Sequence, residues 1–110
     1  MSRAILLLTL IGLPSLANEP ILLRPGFVTK VHCDGRLLVS AVGNEALVQL
    51  QALPKELGCG VLLKPLATLG ESNLILETSA GTVTALVEVK AGQSPPRPGE
   101  LNVELKGDGR

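Results

Sequence analysis

Hydrophobic and polar positions alternate with a period of two along most of the chain. In residues 82–90 (TVTALVEVK), Val83, Ala85, Val87 and Val89 fall on one side, with Thr82, Thr84, Glu88 and Lys90 on the other. Residues 101–106 (LNVELK) alternate without exception, and residues 27–33 put Phe27, Val31 and Cys33 on one face against Lys30 and His32. Successive side chains leave a strand on opposite sides, so this period marks strands with one buried face. Turn formers separate the runs: Asp34-Gly35, Gly43-Asn44, Gly58, Gly70 and Ser79-Ala80-Gly81, the last fitting a hairpin loop. The pattern predicts strands over 21–24, 26–33, 36–42, 46–51, 60–66, 73–78, 82–90 and 100–106. Seven or eight short strands at this spacing predict an all-β domain, a small antiparallel β-sandwich or partly open barrel.

Three segments depart from the alternation. Residues 44–53 (NEALVQLQAL) carry good helix formers behind Asn44, a cap residue, so a short helix competes with a strand there. Residues 54–58 (PKELG) fit one helical turn opened by Pro54. Residues 91–99 (AGQSPPRPG) have no period and read as an extended Pro-rich linker. Lys64, polar within an apolar run, reads as an outward residue on an edge strand, because the Pro65 that follows it cannot donate to a ladder.

The N-terminus has the three parts of an export signal. Arg3 supplies positive charge, residues 4–13 (AILLLTLIGL) are apolar, and Ser15-Leu16-Ala17 offers small residues for cleavage between Ala17 and Asn18. The apolar run is short for a bilayer span, so a membrane anchor is the lesser alternative. Asn at position 18, where a bacterial lipoprotein has Cys, closes the lipidation route. The expected organisation is a signal peptide at 1–17, a β domain at 18–90, a linker at 91–99, and a C-terminal strand and tail at 100–110. The mature protein is expected in the periplasm or outside the cell, with no transmembrane segment after cleavage.

Composition narrows the chemistry. Ten Lys plus Arg balance ten Asp plus Glu, and Phe27 is the lone aromatic residue in the 110. The core must therefore be aliphatic. Neither the basic field nor the stacking rings of a nucleic-acid binder are present, so no nucleic-acid partner is expected. One His and two Cys lack zinc-ligand spacing. His32 and Cys33 are neighbours on a strand, and their side chains should diverge rather than form a catalytic pair. The chain carries no phosphate loop, so no cofactor, no metal and no enzymatic activity are expected. In an oxidising compartment two thiols in a small domain pair, which predicts a Cys33–Cys59 disulfide; the competing arrangement is two separate buried thiols.

The order of short motifs carries a resemblance. RPGFVTKVHCDG is followed by LLVSAVGNEALVQLQ and then by VLLKPLATLGESNLILETSAGTVTALVEV. Over roughly residues 21–90 this resembles the N-terminal domain of the periplasmic outer-membrane-complex subunit of type IV secretion and conjugation machines, the CagX and TrbG family. The shared elements are Gly26 and Thr29 opening a strand, then Ala41, Val42, Gly43 and Asn44. Lys64 and Pro65 follow at a strand end, and Ser72, Asn73 and Leu74 precede Thr78 at a hairpin. The N-terminal domain of secretin-type pilus assembly proteins is similar over Gly70 and Ser72–Leu74, while Lys64-Pro65 favours the first family. The first family's aromatic residues on the last hairpin are replaced here by Val83, Ala85 and Leu86, the two cysteines lie outside its pattern, and residues 91–110 offer no counterpart to its second β domain.

The resemblance implies a structural or accessory subunit that contacts protein subunits of an envelope complex and can oligomerise. A stand-alone pilus-type domain and a free secreted binding or inhibitor module are the alternatives. The amphipathic strand at 100–106, with Leu101, Val103 and Leu105 on one face, is expected either to pair with the domain's own edge or to add to a neighbouring subunit's sheet.

Overall fold

The computed structural model describes residues 18–92 and 94–106. The expected export signal at 1–17, with its cleavage residue Ala17, and the last four residues lie outside the described residues. Eight strands form two four-stranded sheets packed face to face, without a closed barrel. The strands are β1 (Ile21–Leu23), β2 (Thr29–His32), β3 (Leu37–Val42), β4 (Val48–Ala52), β5 (Gly60–Pro65), β6 (Leu69–Thr78), β7 (Gly81–Lys90) and β8 (Asn102–Glu104). One sheet has the order β1-β7-β6-β3 and the other β4-β5-β2-β8.

The sandwich is mixed, where antiparallel strands were expected. β1 runs parallel to β7 and β8 runs parallel to β2. Parallel partners require a long connection that carries the chain back to its starting end, and both pairs are separated by most of the domain. The hairpin between β6 and β7 is the long antiparallel spine of its sheet, with Thr78 opposite Gly81.

The period of two lines up with burial in the long strands. Leu74 and Leu76 of β6 and Val83, Ala85, Val87 and Val89 of β7 face inward, meeting Val31, Val61 and Leu63 of the second sheet. Ile21 and Leu23 complete the layer from the edge. The alternation holds within β2, where Thr29 and Val31 are buried between Lys30 and His32, and fails only at Phe27 before it. Phe27 is 40% exposed, and Thr29 takes the inward place beside Val31. The cause is a turn at Arg24-Pro25-Gly26-Phe27, closed by the Phe27 N–H on the Arg24 carbonyl, with Gly26 at φ +89°. Pro at the second position and a positive φ at the third are the requirements of a type II turn, so the strand starts only after Phe27.

Other boundaries shift for local reasons. Asn44 caps a single turn: its side chain accepts the Ala46 N–H and its carbonyl accepts the N–H groups of Leu47 and Val48. The chain then extends into β4, so 44–53 is a turn and a strand rather than a helix. Residues Lys55–Leu57 form one 3-10 turn behind Pro54, as the sequence suggests. β6 begins at Leu69, four residues before the expected start, because Gly70 and Ser72 continue the ladder opposite Val89 and Val87. β5 is interior, between β4 and β2, which corrects the edge expectation for Lys64. Its side chain is exposed on the outer face and Pro65 is the last ladder residue. The Pro-rich segment ends in a 3-10 turn, Pro98–Leu101, which shortens the final strand to Asn102–Glu104.

Cys33 and Cys59 form the expected disulfide, with Cα atoms 5.1 Å apart. They extend the β2–β5 register by one position, and the Cys33 N–H donates to the Cys59 carbonyl at 3.0 Å. Closing a loop of this length contributes about 3.5 kcal/mol in the chain-entropy model. Replacing both cysteines by alanine is expected to lower the unfolding free energy by roughly that amount, read by urea denaturation. A change under about 1 kcal/mol would show that the β2–β5 ladder holds this corner without the bond.

Candidate functional site

The residues that carry the sequence resemblance gather in two places. β3 ends against the first half of β6, where the Gly43 N–H donates to the Asn73 carbonyl at 3.0 Å and the Asn44 N–H donates to Ser72 Oγ at 2.8 Å. A Cβ on Gly43 would run into the Asn73 side chain and come within 3.2 Å of Ser72 Oγ, so glycine allows the close approach. Ala41 and Val42 pair with Ile75 and Leu74 in the same ladder. Two runs about thirty residues apart in sequence thus meet as one lock. Thr78 belongs to the neighbouring hairpin: its hydroxyl accepts the Ala80 N–H and donates to the Gly81 carbonyl, closing the turn.

Thr29, Lys64 and Pro65 lie in the other sheet, and Gly26 in the turn that leads into it. Gly26 serves the turn before β2, and Thr29 sits opposite Leu63. Thr29 is fully buried, and its hydroxyl has no hydrogen-bond partner among the described residues. These residues shape the domain, and none is brought beside an acid–base or nucleophilic group. Cys33 is committed to its disulfide. His32 lines a shallow cleft of about 100 Å³ with Asp34, Glu104 and Lys106, and no metal-binding group of three His, Cys, Asp or Glu exists among the described residues.

The two flanks of the sandwich differ. On the flank bounded by β1 and β8, polar ties hold the C-terminal segment down. The Asn18 side chain donates to the carbonyls of Thr84 and Lys106 and accepts the Lys106 N–H. Arg24 pairs with Glu100 at 3.3 Å and donates to the Ser94 carbonyl. Leu105 is buried, Val103 packs against the core, and Leu101 is half-buried. The amphipathic strand therefore pairs with its own domain through β2, the first of the two expectations. A cavity of about 540 Å³ remains beside these ties.

On the opposite flank, β3 and β4 form open edges of different sheets with a groove of about 270 Å³ between them. Leu38 and Val39 of β3 are each 55% exposed, and the strand carries no charge. This edge was missed in the sequence because LLVSAV has no alternation to assign its faces. Asn18 and Arg24 gave no signal either, since each acts on residues more than 60 positions away. No helix among the described residues is long and apolar enough to cross a membrane. Compared with known protein families and with curated proteins, the chain matches none.

Two substitutions test these placements. Thr29→Val replaces an unpaired buried hydroxyl by a methyl of similar shape and is expected to raise stability by about 1 kcal/mol, measured by denaturation. A loss of stability would mean that the hydroxyl has a partner. Asn18→Ala removes three hydrogen bonds to the β8 flank. It is expected to speed amide hydrogen exchange at Leu105 and Lys106 while leaving β6 and β7 protected. Unchanged exchange at those two amides would show that the side chain does not hold β8.

Proposed function

We propose that this chain is an exported, non-enzymatic structural or accessory subunit of a type IV secretion-like cell-envelope complex. The observation that carries the reading is the meeting of Ala41–Asn44 with Ser72–Leu74, two runs of the sequence resemblance, in a single backbone lock, with Lys64-Pro65 favouring the secretion family over the pilus-secretin one. Motif residues that act by backbone fit build a module for assembly rather than a reaction centre. The open β3 edge agrees with this, because sheet edges are where extended partners add to β proteins. The disulfide agrees with an oxidising compartment.

The test is fractionation of the tagged protein from its native host, followed by cross-linking within the intact envelope. The expected result is a large envelope assembly containing conjugation or secretion subunits. Recovery from the medium as a free protein, with no envelope cross-link, would favour a secreted binding module and remove the subunit reading.

A further inference from the structure

The four sheet edges are not equally protected. β1 and β8 have three residues each, and their flank is tied by Asn18 and Arg24. β4 presents Gln49 and Gln51 to solvent. β3 is the longest edge, has no charge or proline, and exposes Leu38 and Val39. Natural proteins blunt such edges with charge, proline or a bulge, and β3 has only an irregularity between Leu37 and Val39.

Because the Gly43 N–H points at the Asn73 carbonyl, alternate residues Ala41 and Val39 turn their N–H and C=O towards β6. Ser40 and Val42 turn theirs away from the sheet. The charges around this strand are arranged end to end: exposed Arg36 precedes it and exposed Glu45 follows it. We propose that β3 pairs antiparallel with β3 of a second copy about a two-fold axis at Ser40, joining two four-stranded sheets into one of eight.

In that register Ser40 faces Ser40 of the second copy and Val39 faces Ala41, and the irregularity at Leu38 ends the regular ladder. The Arg36 end of each strand then lies beside the Glu45 end of the other, and the two-fold repeats this attraction at both ends. A parallel pairing would instead bring like charges together. The uncharged middle has no self-repulsion, which a two-fold contact requires because the same patch meets itself. Three regularly paired residues make a small interface, so the dimer is weak. This pairing does not depend on the envelope-complex reading.

Sedimentation equilibrium of the full mature chain is the first test, with dimer expected to grow with concentration; a protein that stays monomeric up to about 1 mM overturns the proposal. Val39→Lys with Ala41→Lys sets lysines opposite each other across the axis, while in the monomer the new side chain at position 39 has Glu77 as its neighbour across the ladder. This double variant should remain folded by circular dichroism and lose the dimer, whereas Leu86→Lys on interior β7 should keep it. Arg36→Glu should weaken the dimer roughly tenfold, and adding Glu45→Arg should restore it.

Ser40→Cys keeps the fold even if the lysine variant does not. Its thiols would lie across a hydrogen-bonded pair, within disulfide reach. Rapid formation of a covalent dimer by Ser40→Cys, and not by Leu86→Cys, is expected. Equal cross-linking of the two cysteine variants, or a dimer indifferent to the lysines, overturns the pairing and leaves β3 open for a different partner.

Discussion

Everything in this domain hangs on an aliphatic layer clasped between two sheets. Leu63, Leu74, Leu76, Val31, Val61 and Val87 are completely buried there, and no aromatic ring joins them. Branched aliphatic chains interlock only if each strand presents the correct face, since a shift of one residue would expose its whole apolar set. The core is thus also what fixes register. The β6–β7 hairpin supplies most of one wall, and the disulfide holds β2 and β5 of the other in line.

A core made this way leaves the polar work to the rim. The sequence carries few charges, and the single ion pair among the described residues joins Arg24 to Glu100. That pair is valuable for where it stands, since exposed ion pairs contribute little on their own. Together with the Asn18 contacts it fastens the chain beyond the Pro-rich segment, so a three-residue strand that could not persist alone stays in the sheet.

Where the alternation was regular, the fold was legible. β7 could be read residue by residue, and the hairpin at Ser79–Gly81 followed from its turn chemistry. The all-β sandwich followed from strand number and spacing, and the disulfide from the expected compartment and the even cysteine count. Strand direction was not legible, because parallel and antiparallel partners share one side-chain period. Phe27 was misplaced because a type II turn absorbed the start of its strand, and β6 was shortened because Gly70 looks like a break while it serves as a ladder residue. The candidate surface was the least legible part. An unbroken run such as LLVSAV does not tell which strand will be left at an edge, and that depends on pairings made by the remainder of the chain.

The Asn18 contacts have a geometric consequence. They bring Asn18 against the backbone of Lys106, so the two ends of the described residues meet at one spot. A module with this property can be spliced into a surface loop of another protein without stretching its host, since the gap to be bridged is only a few ångströms. Whatever is joined at that spot also sits across the sandwich from β3, and a cargo grafted there would leave the opposite border unobstructed.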